Sequence, residues 1–375
     1  MTDVTMLAAA QWANRPSDER FVSLTEMHAK LLADRAITRA RVVSSRDVLV
    51  RPAGDPQHKG LVVSGRQGGE YTPTHWAFGQ LASLVGAPAA YLRTLPSSMA
   101  ADCINYGLQV NRGPEDIGVM FNAGSAPTLR AATGPRYGRI WNVDVVGELI
   151  RHVGDGVTGR FTVPQESKWT GLKAASERPP ITKQSTTLYA GDRDMWVFLA
   201  DEHNRIELPN RRGGRSGTLA RGVIIRNSEV GSSSLEVLTF LFDAMCCNHI
   251  IWGATKAQTV SIRHTASAPD KYIEQVQPAL IAYANASTDG IVECLKRAQA
   301  AKIQTDITEF LAKRFGPRVG ARVAAAHEAD EGRPIETVWD VVTGATAYAR
   351  DAFTDQGDRF AFERDASALL DEVNG

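Results

Sequence analysis

The sequence predicts an α+β fold, with a central, mostly antiparallel sheet, flanking helices and a helical C-terminal extension. Three observations carry this expectation. Strand signals cluster in the middle of the chain, helical periodicity dominates from Pro269 onward, and Gly191, Asp192, Arg193 and Asp194 separate two alternating apolar runs as a hairpin turn would. With 375 residues, 43% of them hydrophobic, the chain has the length and apolar content for a sizeable core. Three segments are expected: 1–125, an N-terminal α+β segment with a helix-turn-helix-like pair; 126–268, a β-rich core; and 269–375, a helical region.

Along the chain, Leu24 to Arg35 reads as a helix, and Arg41 to Val50 and Gly60 to Ser64 read as strands. From Thr74 the pattern is helical. Ala77, Leu81, Leu84 and Val85 share a face, Gly86 suits the C-terminal cap, and Pro88 can open a second short helix ending before Pro96. Only Arg93 stands where a DNA-reading helix would want several polar contacts. Leu129 to Trp141 reads as a strand or hairpin about Gly134-Pro135, and Val143 to Val153 as an amphipathic helix. Ser185 to Tyr189, Met195 to Ala200, Gly222 to Arg226 and Leu235 to Met245 supply strands, the last of which could also be a buried helix by pattern. In the C-terminal region, Ile291, Leu295 and Ala298 form one helical face, Ile307, Phe310 and Leu311 a second, and Ile335, Val338, Trp339 and Val342 a third. Pro334 suits a first helical turn, and Pro278 should kink or divide the helix after Pro269.

Charge excludes a global polyanion binder, because 42 basic residues balance 42 acidic ones. The balance is uneven, however: residues 160–226 carry 12 Lys/Arg against 7 Asp/Glu, and residues 326–375 carry 4 against 12. No apolar run approaches the roughly 18 residues that cross a bilayer, and the amino terminus does not read as a signal peptide, so a cytoplasmic protein without membrane contact is expected. Cys103, Cys246, Cys247 and Cys294 show no CxxC spacing, which predicts neither a disulfide framework nor a zinc site.

Gly154, Gly156 and Gly159 form a GxGxxG string, but a helix precedes it and the strand-like Arg160 to Val163 follows. This is the reverse of a dinucleotide-binding turn, so a helix-to-strand loop is expected. Asp155 with Glu166-Ser167-Lys168 is the carboxylate and E-x-K arrangement of metal-dependent nucleases. P-loop, HExxH and GxSxG signatures are absent, and no residue set predicts a cofactor or a metal. Arg211, Arg212, Arg215 and Arg221 lie in the glycine-rich stretch NRRGGRSGTLARG, where guanidinium groups could clamp phosphates. Aromatic residues stand beside other cations: Tyr137 and Trp141 beside Arg136 and Arg139, and Trp169 between Lys168 and Lys173. Bases stack on such rings while cations follow the backbone. Lastly, Asn227-Ser228-Glu229, Asn248 and Arg263-His264 interrupt apolar strands, where polar groups need partners and form either a satisfied network or an active site.

The pieces THWAFGQLASLVGAPAAYLRTL, TGPRYGRIWN, GDRDMWVFLAD, RNSEVGSSSLEV, CCNHIIWG and SIRHT, in that order over residues 74–265, resemble the domain of unknown function 932 family of phage- and plasmid-like proteins. His249, where Gly or Thr is usual, and Gly134-Pro135, where Ser-Asp is usual, depart from that pattern. The resemblance implies a mobile-element setting and no particular reaction. The leading expectation is therefore a non-catalytic, homo-oligomeric protein that binds nucleic acid, namely single-stranded DNA, during recombination or annealing. The alternatives are a metal-dependent nuclease using Asp155, Glu166 and Lys168, or Glu229 and His264, and a protein-binding inhibitor of host defence.

Overall fold

The computed structural model describes residues 15–53, 60–65, 68–110, 115–164, 180–184, 186–211, 215–243, 248–250, 260–285, 287–353 and 356–374. The architecture is α+β, with two mostly antiparallel sheets and a helical C-terminal region.

The chain opens with strand β1 (Arg20–Phe21) and helix α1 (Leu24–Ile37), whose first turn is capped by the Ser23 hydroxyl accepting the Glu26 N–H. Strands β2 (Thr38–Ser44), β3 (Val48–Pro52), β4 (Leu61–Gly65) and β5 (Glu70–Pro73) follow. The single strand expected over Arg41–Val50 is two, because a tight turn at Ser45–Asp47 divides it. Helices α2 (His75–Leu84), α3 (Ala89–Leu92) and α4 (Ser97–Gln109) come next, then β6 (Asp116–Asn122) and β7 (Thr128–Thr133). These strands form a six-stranded sheet in the order β2-β6-β7-β5-β4-β3. Its apolar face (Val50, Val63, Ile117, Val119) packs on Leu81, Leu92 and Ile104 of the three helices. β7 lies beyond residue 125 yet belongs to this sheet, while β1 joins the larger one.

No strand follows β7 before the amphipathic helix α5 (Asn142–Val153), which corrects the hairpin expected about Gly134-Pro135. The physical reason is that residues 137–142 make hydrogen bonds to the turn at 227–230 and to His264 and do not pair their backbone with β7. Gly154 and Gly156 take positive φ angles of 101° and 78° and lead to β8 (Phe161–Thr162), the helix-to-strand loop expected of the glycine string.

Among the described residues, the second sheet has eight strands. Strand β9 (Leu188–Ala190) turns at Gly191–Asp194 into β10 (Met195–Arg211), which pairs along its length with β11 (Arg215–Asn227). β12 (Leu235–Asp243), β13 (Asn248–Ile250) and β14 (Val260–Ile262) complete it, so the run with the ambiguous pattern is a strand from Leu235 to Asp243. Alternation along β10 serves two faces. Val197 and Leu199 pack with Val223 against Leu24, Met27 and Leu149 of α1 and α5, whereas Trp196 and Phe198 face the opposite side with Ile224 and Phe360.

The helical region begins with α6 (Ala268–Lys271), a π turn at Tyr272–Val276 and α7 (Gln277–Asn285). The wide turn lies just before Pro278, which has no N–H to donate to the carbonyl four residues earlier and whose ring crowds that carbonyl in an ordinary helical turn. Helices α8 (Asp289–Ala300), α9 (Ile307–Phe315), α10 (Pro317–Glu331), α11 (Val338–Ala352) and α12 (Gln356–Asn374) follow. Their core of Leu295, Leu311, Val323, Trp339 and Leu370 packs on Ile206, Leu208 and Leu219, so the outer half of the β10–β11 hairpin is gripped by this region. Pro334 precedes α11 rather than standing in its first turn, because Thr337 and Asp340 form a capping box that sets the start at Val338. Among the described residues, no helix is long and apolar enough to cross a membrane.

Candidate functional site

The polar residues at the end of β11 bring the two sheets together. Asn227 is fully buried, and its Nδ2 donates to the Ile140 carbonyl and to Asn142 Oδ1, both at 2.8 Å. The Ser228 Oγ donates to the Arg193 carbonyl at 2.7 Å and accepts the Ser232 N–H at 3.0 Å, closing the turn. Glu229 accepts the Asn142 N–H on Oε1 at 2.9 Å and Arg130 on Oε2 at 3.2 Å. Its carboxylate thus sits at the first turn of α5, where unpaired N–H groups favour an anion. The backbone of the turn is engaged as well. Tyr137 Oη donates to the Ser228 carbonyl (2.7 Å), Arg139 Nε to the Glu229 carbonyl (3.0 Å), and Trp76 Nε1 and Gln80 Nε2 to the Val230 carbonyl (3.1 and 2.7 Å). Gln80 also accepts the Ala132 N–H at 3.0 Å, so one side chain of α2 ties β7 to this turn.

His264 extends the network. Its ring stacks on Tyr137 with centroids 4.9 Å apart, and its Nδ1 lies 3.0 Å from the Gly138 carbonyl. Burial lowers its pKa, so the neutral ring with Nδ1–H donating is the favoured form. Gly138 is required there because a Cβ would collide with the Thr265 carbonyl. Burial also raises the Tyr137 hydroxyl far above its ordinary range. Arg136 and Arg263 are exposed beside this assembly.

Tyr137 and Trp141 are not the open stacking platform that the sequence suggests. His264 lies on Tyr137 and the Arg139 guanidinium stands 5.3 Å from the centre of its ring, while the Arg35 guanidinium stands 4.0 Å over Trp141. Both rings are half-buried.

Arg221 also differs from expectation. It lies inside β11, fully buried, with Nε on Asp201 at 3.0 Å and its two terminal nitrogens on the Tyr283 and Ala284 carbonyls at 3.1 Å. With Phe161 and Tyr283 flanking it, this guanidinium cannot meet a phosphate. Arg211 and Arg215 occupy the hairpin end, where the register pairs them directly. Asn248 is in β13, opposite Asp243. Arg212, Lys168, Trp169, Lys173 and Glu166 lie outside the described residues. The helix pair α2–α3 holds Arg93 over Phe78, at 4.8 Å, with its guanidinium bonded to the His75 carbonyl.

Asp155 accepts the N–H groups of Val157 and Thr158 and the Thr158 hydroxyl, which fold its own turn and hold its carboxyl below the usual range even though burial acts the other way. It stands beyond one end of α5 and Glu229 beyond the other, roughly 18 Å apart by the rise of a 12-residue helix. These two carboxylates do not form one donor set. Among the described residues, no group of three or more His, Cys, Asp or Glu side chains could hold a metal.

Several participants were missed from sequence: Arg35, Trp76, Gln80, Arg130, Asn142 and Asp201. Arg130 and Asp201 did leave a signal, each a lone charge in an apolar strand (TLRAAT, WVFLAD), where burial demands a partner.

A family model described as domain of unknown function (DUF932) matches residues 155–367, more than half of the chain. No curated protein and no solved structure matches. The matched span includes the turn at 227–230 and His264, but not Tyr137, Arg139, Trp76 or Gln80, which contact them.

Proposed function

The chain belongs to the domain of unknown function (DUF932) family, a membership that assigns no reaction, and on its own residues we propose that it is a DNA-binding accessory protein of a phage or plasmid that captures single-stranded DNA at the tip of the β10–β11 hairpin. The supporting observation is the register of that hairpin. Arg211 pairs with Arg215, and the sequence closes the connection with Arg212, Gly213 and Gly214. Like charges at directly opposed positions destabilise a ladder, and an intervening phosphate turns that repulsion into two charge-assisted contacts. Glycines in the connection leave room for a backbone to approach. The neutral total charge leaves capture to such a local cluster. Tyr137, Trp141 and Arg221 take no part in this reading, since each is committed within the fold.

The resemblance to phage- and plasmid-borne proteins supports the mobile-element and recombination setting, and a cytoplasmic location goes with it. Self-association belongs to the same proposal. Among the described residues β2 pairs only with β6, so its other edge, with Val42 55% exposed, offers a surface for strand pairing.

The test is fluorescence anisotropy with a short labelled oligonucleotide at low salt. Wild type should bind with weak sequence preference, and the variant Arg211→Ser/Arg212→Ser/Arg215→Ser should lose at least tenfold in affinity. A flat wild-type titration at micromolar protein, or an unaltered variant, rejects the proposal.

A further inference from the structure

Strands β2 and β3 stand at opposite ends of the six-stranded sheet, yet only the turn at Ser45–Asp47 joins them. So short a connection keeps their near ends within about 14 Å, and the sheet therefore bends round until its two edges approach. Among the described residues no ladder closes that seam. The β3 edge is engaged elsewhere: Asn105 of α4 accepts the Val50 N–H at 2.8 Å and donates to the Val50 carbonyl at 2.7 Å. Inside the bend lies a cavity of about 450 Å³, to which each of the six strands contributes a wall: Val43, Val48, Val63, Tyr71, Phe121 and Leu129.

Val48, Val63, Phe121 and Leu129 belong to the buried core, and they also face this space. Water held against them gains little, since a cavity water needs roughly two to four polar partners. The Tyr71 and Phe121 rings lie side by side, with centroids 4.6 Å apart and planes tilted by 48°. Gly69, at a φ of 87°, lets the Tyr71 ring rest against the chain there, because a Cβ would stand 2.9 Å from its hydroxyl. Arg41 is directly opposite Val119 in the β2–β6 register, which puts its side chain on the same inner face. Its guanidinium stands 5.0 Å from the centre of the Phe121 ring and reaches across the seam to within 4.0 Å of where a Cβ on Gly65 of β4 would be. The lining residues carry one cation, Arg41, and one carboxylate, Asp47, so their charges cancel. A charged guest would bring a charge that this apolar space does not compensate.

We propose that this cavity binds an uncharged, flat molecule of two fused aromatic rings. The volume agrees, since about 150 Å³ accepts benzene and sites for larger small molecules begin near 300 Å³. Aromatic guests are favoured over saturated ones of the same shape, because ring edges and faces can meet Tyr71, Phe121 and the guanidinium. A hydroxyl on the guest can bond the Ser44 or Ser64 side chain in the lining. The inference is independent of the hairpin and of any nucleic acid.

The experiment is isothermal titration of the full chain at neutral pH with 2-naphthol, its saturated analogue decahydro-2-naphthol, the anion 2-naphthoate and the cation 2-naphthylmethylammonium. The result expected is binding of 2-naphthol at least threefold tighter than the saturated analogue and at least tenfold tighter than either ion. Val43→Trp, which fills the cavity from the edge strand, should abolish binding, and Phe121→Leu should remove the preference for the aromatic compound. If Val43→Trp fails to fold, Phe121→Leu carries the test. Absence of heat with 2-naphthol, equal binding of decahydro-2-naphthol, tighter binding of either ion, undiminished binding by folded Val43→Trp, or an unchanged preference in Phe121→Leu overturns the proposal.

Discussion

Arg221 shows how one side chain can change meaning between sequence and structure. In the sequence it is the fourth arginine of a glycine-rich stretch; in the fold it is the buried partner of Asp201, twenty positions earlier on the neighbouring strand. Composition cannot reveal that pairing, because it depends on the register of two long strands. Removing one member of such a pair strands the other charge, so Arg221→Met should lower stability by about 3 kcal/mol in urea denaturation. A loss below about 1 kcal/mol would mean that Arg160, which also bonds Asp201, compensates. His264 yields a pH prediction. Its folded pKa lies below the ordinary 6.5 because it is desolvated. The unfolded chain therefore binds a proton first, and stability falls as the pH drops from the unfolded pKa towards the folded one, with no penalty above that window. His264→Phe keeps a ring against Tyr137 and removes the titration, so its stability should fall less than that of wild type between about pH 7 and 5.

Elements were legible where a short pattern determines them. The Gly191–Asp194 turn, the amphipathic face of α5 and the apolar faces of α8, α9 and α11 stand close to where periodicity puts them. Helix α4 and strand β6 went unread. The start of α11 was misplaced at Pro334 because proline is only permitted in a first turn, whereas the Thr337–Asp340 capping box satisfies its free N–H groups. Thr337→Ala should therefore cost about 1 kcal/mol, measured by thermal or urea unfolding. A neutral substitution would show that Arg333, which clamps Asp340 with bonds of 2.6 and 3.0 Å, fixes the helix start alone.

Over the whole molecule, the strand-end polar motif joins two sheets. Sequence reasoning found half of that joint, Asn227, Ser228, Glu229 and His264, because polar residues inside apolar strands are costly without partners. The other half, Trp76 and Gln80 of α2 and Arg130 of β7, lies about a hundred or more positions earlier, on the smaller sheet and a helix packed on it, and no local pattern links the two. Gln80→Ala removes bonds to Val230 and Ala132 together. Amide exchange should then quicken at Ala132 and around the 227–232 turn while helices α8 to α12 keep their protection; unchanged exchange at Ala132 would contradict a joint role. Such a division leaves the hairpin tip to carry binding. The direct measurement is the salt dependence of oligonucleotide affinity. Three arginine–phosphate contacts predict that log affinity falls with log salt at a slope near −2, about a 20-fold loss between 50 and 200 mM for wild type. The variant lacking Arg211, Arg212 and Arg215 should show almost no slope. An equal slope in that variant would place the phosphate contacts elsewhere and contradict the account.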